Sequence, residues 1–441
     1  MKKVLVLGAG LVAAPLVRYL LGQAEFSVKV ASRTLRKAEI LVGDAENGCA
    51  EQLEVNDTAA LETLIREADL AISLLPYVYH PLVAQLCVKH HRVMVTTSYV
   101  KDEMRALDAS AKDAGVILLN EIGVDPGIDH MSAMQVIDRI KASGGNLVEF
   151  SSYCGGLPAP EANDNPLGYK FSWSPRGVIL AGKNPARYLK DGGIVDIPGD
   201  ELFAHHWPVE IKGFGTLEGY PNRDSLPYMQ TYRIPGVNSM FRGTLRYPGW
   251  CETLTAIAEL GLLDEHTSND LSGITFRDFT AQRVAEAGQD LKTDLAALLK
   301  INVDSKVISN LEWLGFLSSD PLPEGVHSPL DVLASRMLEK MRYAPGERDM
   351  LIMQHAFVAR YSDRTEKTTS TLIDYGIPHG DSSMSRLVGL PAAIATKLIL
   401  QEKIDLVGVQ VPVLAEIYQP ILEELAQMGV AFTETTEEIQ I

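Results

Sequence analysis

The stretch VLVLGAGLVAAP at residues 4–15 decides the fold of this chain. It places the pattern Gly8-x-Gly10-x-x-Ala13 between an apolar, strand-like run and the start of a helical stretch. Gly8 permits a tight turn, Gly10 lets the backbone approach a pyrophosphate, and Ala13 is small enough for close helix–strand packing. The helix N-terminus that follows supplies amide donors and a positive dipole. The stretch predicts a dinucleotide-binding turn, and the alternative is a purely structural glycine turn.

Short β-branched runs alternate with helical stretches from this turn to about residue 120. Strands are predicted at residues 4–7, 28–31, 70–74, 93–96 and 116–119, and helices at about 11–21, 33–42, 58–66, 82–89 and 104–113. Strands and helices that alternate in this way form right-handed βαβ units around a parallel sheet. We therefore predict a doubly wound α/β domain.

The character of the sequence changes after Asp125-Pro126-Gly127, where the aspartate can cap a new helix. From about residue 145 to 255, alternating runs among Gly, Pro and aromatic residues predict a mixed or antiparallel sheet. The predicted organisation is an α/β dinucleotide-binding domain at 1–127, to which a helix at about 385–405 returns, a second α/β domain at 128–255 and 346–384, a helical insertion at 256–345 and a C-terminal α/β segment at 406–441.

Composition narrows the classes of partner. The chain has 441 residues, of which 57 are acidic and 40 basic, and its formal net charge is −17. This charge argues against a nucleic-acid binder, which needs a surplus of Lys and Arg on one face. The four cysteines are scattered, so neither a disulfide framework nor a metal site is predicted. No apolar run approaches the roughly 20 residues of a membrane helix. We expect a cytoplasmic protein without a metal, nucleic-acid or membrane partner.

The residues after the second predicted strand indicate which dinucleotide binds. An NAD site would place Asp or Glu there, on the ribose 2′-hydroxyl. This chain instead has Ser32-Arg33-Thr34. An acid would repel a 2′-phosphate, whereas two hydroxyls and a guanidinium would bind it, so NADP(H) is favoured. The alternative is that Arg33 only begins a solvated helix.

Three predicted strand ends have distinctive sequences, which are SLLPYVYH (73–80), TTSYV (96–100) and NEIGVDPGIDH (120–130). In an open α/β sheet, ligands bind beyond such ends. These segments closely resemble the saccharopine reductase family, the NADP-dependent, glutamate-forming saccharopine dehydrogenases. The resemblance covers nearly the whole chain and includes SYCGGLPAPEANDNPLGYKFSWSPRG (152–177), YPNRDS (220–225), RGTLRY (242–247), ERD (347–349) and RLVGLPAA (386–393).

The resemblance implies an enzyme with a variant Rossmann domain, an α/β substrate domain and a small helical domain. It implies that glutamate and 2-aminoadipate 6-semialdehyde join as an imine, which NADPH reduces to saccharopine. It is compatible with a homodimer. The cofactor-binding residues that it implies are Gly8, Gly10, Leu11, Val12, Ser32, Arg33, Thr34, Val55, Leu75, Thr97, Ser98, Val124 and Ser174. The substrate-binding residues that it implies are Ser98, Tyr99, Asp125, Arg223, Thr244, Leu245 and Arg246.

The arginines suit such a substrate on chemical grounds. Saccharopine carries three carboxylates, and a planar guanidinium binds a carboxylate bidentately. On a strand, Arg242, Thr244 and Arg246 share one face, and Arg223 lies in a turn that contains Pro and Asn. The alternative is an exposed face of an edge strand and a solvated turn.

Imine chemistry requires proton transfer when the amine attacks, when the carbinolamine hydroxyl leaves and after hydride transfer. Asp125, Tyr99 and Cys154 are the predicted proton-transfer groups. The amine of glutamate is itself the nucleophile and solvent can carry protons, so we expect no single indispensable residue. Asp125 could instead cap a helix, and Cys154 could be a small buried residue.

Two other functions stay open. One is an NADPH-dependent reductive aminase of the carboxynorspermidine type, whose polyamine-derived substrate should select acids in its pocket. The other is a non-catalytic protein that senses NADP(H). Arg223 and Arg246 argue against the first, and Tyr99 and Asp125 argue against the second.

Overall fold

A computed structural model describes residues 1–172, 175–266, 271, 273–284 and 290–440. Its contacts divide the chain into two units, Met1–Asn146 with Gly376–Thr433 and Leu147–Tyr375 with Glu434–Ile441.

The elements up to residue 146 are β1 (Lys2–Leu7), α1 (Ala13–Leu21), β2 (Phe26–Ser32), α2 (Leu35–Val42), β3 (Gly48–Gln52), α3 (Thr58–Glu67), β4 (Leu70–Ser73), α4 (His80–Lys89), β5 (Val93–Thr96), α5 (Asp102–Arg105), α6 (Asp108–Asp113), β6 (Ile117–Leu119) and α7 (Ile128–Ala142). Those that follow are β7 (Asn146–Pro158), α8 (Pro175–Ala181), β8 (Ala186–Lys190), β9 (Gly193–Ile197), β10 (Trp207–Ile211), β11 (Gly215–Pro221), α9 (Pro227–Thr231), β12 (Ser239–Arg246), α10 (Trp250–Glu259), α11 (Phe276–Ala281), α12 (Leu291–Leu298), α13 (Lys306–Leu314), α14 (Pro329–Lys340), β13 (Asp349–Arg360) and β14 (Thr365–Tyr375). The chain ends with α15 (Ser383–Leu400), β15 (Gly408–Gln410), α16 (Ala415–Gln427) and β16 (Thr433–Ile439). Short 3₁₀ turns lie at Tyr77–Tyr79, Pro160–Ala162 and Gly199–Ala204.

The first unit is built on a parallel sheet. Among the residues described, its strands run in the order β15-β6-β5-β4-β1-β2-β3, and neighbouring strands are parallel. The apolar run of β1 is buried in the middle of this sheet, as a strand covered on both faces requires. The doubly wound α/β fold is confirmed.

The two edges of this sheet were not predicted. Strand β3 has the sequence GCAEQ, which carries no β-branched or aromatic residue, and it forms by pairing with β2. Strand β15 pairs with β6 from a distant part of the chain. An edge strand needs fewer apolar residues than a central one, because one of its sides faces solvent. Whether such a segment forms a strand therefore depends on the neighbouring strand with which it pairs.

Helix α15 returns to the first unit and packs on α1. The sequence predicted this helix but no stretch of membrane-spanning length. Of the helices described, α15 alone is long and apolar enough to cross a membrane by length and composition, but 72% of that stretch is buried inside the protein. The close approach depends on Gly389, where a Cβ would lie 2.9 Å from the Val12 carbonyl oxygen and 3.2 Å from Leu16 Cβ. Helix α15 is therefore a core helix.

Replacing Gly389 by valine is expected to separate α15 from α1. The added side chain meets the backbone of the nucleotide turn, which cannot yield as a flexible side chain would. We expect the free energy of unfolding to fall by about 2 kcal/mol, in the range typical of overpacked cores. Urea denaturation followed by circular dichroism measures this change. An unaltered midpoint would show that the interface accommodates the side chain.

The boundary of the first unit differs from the predicted one. Helix α7 was assigned to the second domain, but it lies in the first unit together with residues up to Thr433. Most of α7 is buried, and Tyr418 on α16 donates a 2.7 Å hydrogen bond to Asp138 on α7. Its apolar periodicity predicted a buried helix correctly. Periodicity does not say which sheet covers a helix, and the partner here is more than 250 residues away in the chain.

The second unit is built on a mixed sheet, in the order β10-β11-β12-β7-β13-β14-β16 among the residues described, with β8 paired to β12 and β9 paired to β8. Strand β12 lies inside it, antiparallel to β11 and parallel to β7. The helical segment predicted as an insertion at 256–345 does not form a unit of its own. Its apolar residues share one core with Tyr169, Tyr220 and Trp250, which lie in or beside the sheet.

Candidate functional site

The glycine turn has the geometry of a nucleotide site. Gly8 has a φ of 110°, and a Cβ there would lie 3.0 Å from the Leu74 carbonyl oxygen, so this position requires glycine. A Cβ at Gly10 would meet nothing within 4 Å, which leaves open space above the turn. Helix α1 begins at Ala13 without a side-chain cap, and Leu11 is 70% exposed. The open backbone at Gly10 and a helix N-terminus without a side-chain cap suit a diphosphate.

The end of β2 carries the predicted 2′-phosphate residues. Ser32 ends the strand, and Arg33 and Thr34 are exposed before α2 begins at Leu35. Within the described part of the chain, none of the ion pairs involves Arg33, so its guanidinium has no internal partner to displace. Val55 and Leu75 are half-buried and pack against a hydrophobic core of the same unit. Ser174 lies outside the described residues.

A buried histidine links the ends of β4 and β5. His80 is 4% exposed, and its ring nitrogens form hydrogen bonds of 2.8 Å with Ser73 Oγ and Ser98 Oγ. Burial lowers the pKa of His80 from 6.5 to about 4, so the ring is neutral at physiological pH. Sequence reasoning missed this residue, although it closes the distinctive SLLPYVYH stretch. It fixes Ser98, which was predicted to contact both ligands.

The lowered pKa of His80 predicts a pH-dependent stability. Because the unfolded chain binds this proton more readily than the folded one, the contribution of His80 is complete above about pH 6.5 and is lost as the pH falls towards 4. Between about pH 7 and pH 5, we expect the free energy of unfolding to drop by about 2 kcal/mol more in the wild type than in His80→Gln. Urea titrations at the two pH values measure it, and parallel losses in both proteins would contradict it.

Tyr99 and Asp125 are brought together at the ends of β5 and β6. Tyr99 Oη donates a 3.0 Å hydrogen bond to Asp125 Oδ1. Asp125 precedes a cis peptide bond to Pro126. It is not the N-cap of α7, because the helix begins at Ile128 with Gly127 as its N-cap and no side-chain cap. The alternative role for Asp125 is therefore wrong, and its carboxylate is available to the Tyr99 hydroxyl.

Thr97 and Val124 lie beside this pair. Gly123 packs so closely that a Cβ there would lie 3.1 Å from Thr97 Cβ, and Val124 is 6% exposed. The main chains of the two segments are also joined, because the Ile122 amide donates to the Thr96 carbonyl oxygen. These two predicted cofactor-binding residues thus lie at the ends of neighbouring strands.

The arginines of β12 are buried in the second unit. Arg242 is 3% and Arg246 is 6% exposed, which rules out the exposed edge-strand alternative. The Arg246 guanidinium lies 4.8 Å from the centroid of the Tyr169 ring and 5.4 Å from that of Trp250. Its Nη1 donates to the Leu245 carbonyl oxygen, and its buried Nε has no hydrogen-bond partner. The Arg246 guanidinium thus lies close to two aromatic rings, and its Nε–H is a hydrogen-bond donor without an acceptor in the described part of the chain.

Arg246 also lacks a counter-charge among the residues described. Its cross-strand neighbour is Glu218, whose carboxylate is used elsewhere: it accepts hydrogen bonds from the Gly249 and Cys251 amides at the start of α10. The titratable groups with the largest electrostatic effect on the pKa of Arg246 are tyrosines and cysteines, which are neutral near pH 7. A buried cation without an anion is costly, so this arrangement suits a ligand carboxylate.

The other predicted substrate residues differ in their placement. Cys154 pairs with Thr244 across β7 and β12, and it is one of the groups that interact with Arg246. The Leu245 side chain is fully buried in a hydrophobic core, so only its main chain could contact substrate. Arg223 is exposed, with a positive φ of 57°, in the turn after β11.

Two family models match this chain. The saccharopine dehydrogenase NADP binding domain matches residues 4–119, and the saccharopine dehydrogenase C-terminal domain matches residues 123–430. The chain belongs to the saccharopine dehydrogenase family. The resemblance read from the sequence motifs is thereby confirmed, and the NADP-binding domain of the family covers the glycine turn and the Ser32–Thr34 segment.

Individual members of the saccharopine dehydrogenase family align over nearly the full length. A saccharopine dehydrogenase (NADP+, L-glutamate-forming) of Schizosaccharomyces pombe is 43% identical, with 98% of this chain and 99% of that protein covered. The apo structure of saccharopine dehydrogenase (L-Glu forming) from Saccharomyces cerevisiae superposes with a TM-score of 0.92 at 39% identity, covering 99% of this chain and 100% of the other. The mitochondrial alpha-aminoadipic semialdehyde synthase of Bos taurus is 39% identical, and 98% of this chain matches 47% of its length.

Proposed function

We propose that this protein is an NADP-dependent saccharopine dehydrogenase that interconverts saccharopine with 2-aminoadipate 6-semialdehyde and L-glutamate. The observation that carries the proposal is the buried Arg246 guanidinium, which has two aromatic walls, an unpartnered Nε and no counter-charge among the described residues. Saccharopine carries three carboxylates, and a preformed, desolvated guanidinium binds one of them strongly. The full-length similarity to fungal saccharopine dehydrogenases supports the same reaction.

The cofactor would be held by the first unit. The open backbone at Gly10 and the uncapped N-terminus of α1 suit its diphosphate, and Ser32, Arg33 and Thr34 suit its 2′-phosphate. NADP(H) supplies or accepts the hydride when it is bound. The protein's own task is to orient the substrate and to move protons, for which the hydrogen-bonded Tyr99 and Asp125 are suited. Cys154, beside Thr244 on the substrate strand, is a third candidate.

Other functions give different results in one assay series. The decisive experiment follows NADP+ reduction with saccharopine as substrate, and runs NAD+ in parallel. Turnover with NADP+ that exceeds turnover with NAD+ supports the proposal. The reverse reaction is then compared with aminoadipate semialdehyde plus glutamate and with aspartate semialdehyde plus a diamine. Turnover only with the diamine would indicate a reductive aminase of the carboxynorspermidine type. Tight NADP(H) binding without any turnover would indicate a sensing protein.

We also propose that the enzyme works in the cytoplasm as a homodimer. The cytoplasmic location is supported by the four cysteines, which are scattered along the sequence without the regular spacing of a disulfide framework. Fractionation of the source cells and light scattering of the purified protein test the two statements separately.

A further inference from the structure

A buried acid contacts the two chain segments that carry Tyr99 and Asp125. Glu121 follows β6, is 6% exposed and has a positive φ of 57°, a conformation that costs a side-chain-bearing residue free energy. Its Oε1 accepts a 2.9 Å hydrogen bond from the Val100 amide, and its Oε2 lies 2.8 Å from Nε2 of His130, which is fully buried. Burial of such a carboxylate is tolerated because both of its oxygens have a partner.

The two oxygens of Glu121 hold two different segments. Val100 directly follows Tyr99, so the Oε1 bond fixes the segment that carries the hydroxyl. The Glu121 amide reinforces it by donating to the Ser98 carbonyl oxygen. His130 lies in the first turn of α7, immediately after the turn that carries Asp125, so the Oε2 contact fixes the other segment. One carboxylate thus joins the segment of Tyr99 to that of Asp125.

A second contact stiffens the Asp125 side. Asp129 Oδ1 accepts a 2.6 Å hydrogen bond from the Gly127 amide, and its Oδ2 lies 3.8 Å from His130 Nδ1. His130 therefore lies between two acids, one on each side of the turn. This arrangement ties the start of α7 to the turn and leaves little freedom in the position of Asp125.

We propose that Glu121 and His130 are positioning residues that set the Tyr99–Asp125 geometry for proton transfer. This inference rests on the proposed function. Neither residue needs to contact substrate or cofactor, because each acts through the Tyr99–Asp125 pair. Proton transfer requires the donor and acceptor within hydrogen-bond reach, and a displacement of about 1 Å can cost on the order of 100-fold in rate.

The test is a double-mutant cycle with Tyr99→Phe. Glu121→Gln keeps the size of the side chain but weakens its contact with His130. We expect it to lower kcat for saccharopine oxidation about 10-fold, with the KM for NADP+ within about two-fold of the wild type. In the Tyr99→Phe background, where the pair is already broken, the same substitution should lower kcat less than about two-fold. A purely structural role would lower kcat by the same factor in both backgrounds.

His130→Asn provides a second route should Glu121→Gln fold poorly, because it removes the contact with α7 and leaves the Val100 bond. It should show the same non-additivity with Tyr99→Phe. The matched control is Asp108→Asn in the same unit, where a carboxylate also accepts from a main-chain amide (Val409, 2.9 Å) but lies apart from the pair. The control should change thermal stability without changing kcat. If the wild type is active, additive effects of the substitutions on kcat, or an unchanged kcat, would overturn this inference alone. A wild type that is inactive with saccharopine would reject the proposed function and this inference with it.

Discussion

Replacing Arg246 by methionine is expected to raise the KM for saccharopine about 100-fold or more, because a buried charge-assisted hydrogen bond to a carboxylate is worth several kcal/mol. The KM for NADP+ should change little, because all of the predicted cofactor-binding residues except Ser174 lie in the first unit. Thermal stability should stay the same or rise. Arg246 is buried without a counter-charge among the residues described, so its removal relieves a desolvation cost. Steady-state kinetics with each substrate varied in turn, together with a thermal melt, measure these effects.

Arg336 provides a matched control for this substitution. It is also a buried guanidinium of the second unit, but it lies 2.8 Å from both Asp320 and Glu339. Arg336→Met should lower thermal stability and leave the KM for saccharopine unchanged. Equal shifts of the saccharopine and NADP+ KM values in Arg246→Met would show that β12 does not bind the substrate.

Replacing Arg33 by alanine is expected to raise the KM for NADPH about 30-fold and to leave the KM for NADH almost unchanged. The guanidinium would bind the 2′-phosphate through charge-assisted hydrogen bonds, and NADH lacks that group. Because Arg33 is exposed, salt screens part of the interaction, and the effect should shrink as the ionic strength rises. Kinetics with both cofactors at two salt concentrations check the prediction.

The control for Arg33 is Arg66→Ala, which removes an exposed arginine from the last turn of α3 in the same unit. It changes the net charge by the same amount but should leave both KM values unaltered. A similar loss of NADPH affinity in the two variants would mean that overall charge, and not a specific phosphate contact, accounts for the effect of Arg33.

The first sheet was predictable where its strands are apolar and central. Val4–Leu7 is buried as expected, because a run of apolar β-formers can only be satisfied inside a sheet. Gly48–Gln52 was missed, since its small and polar residues become a strand only through pairing with β2. Helix α7 was found but placed in the wrong unit, because its apolar pattern does not identify its partner α16.

The candidate site divides in the same way. Tyr99 and Asp125 could be named because they follow two predicted strands, and their hydrogen bond agrees with that placement. His80 and Glu121 were not named, although both lie in segments that were singled out. Their roles depend on contacts with Ser98 and His130, and the sequence does not show which hydroxyl or imidazole a buried side chain meets.

The sequence by itself determined the Rossmann-type unit, the preference for NADP(H) and the family. These follow from residues that are neighbours in the chain, such as Gly8 to Ala13 and Ser32 to Thr34, because turns and strand ends are governed by local geometry. Only the tertiary structure decided what Arg246 and His80 are. The cation of Arg246 lies beside Tyr169 while Glu218 caps α10, and the imidazole of His80 is neutral because it is buried between two serines. Desolvation and charge pairing depend on groups far apart in the sequence, so they emerge only when the chain is folded.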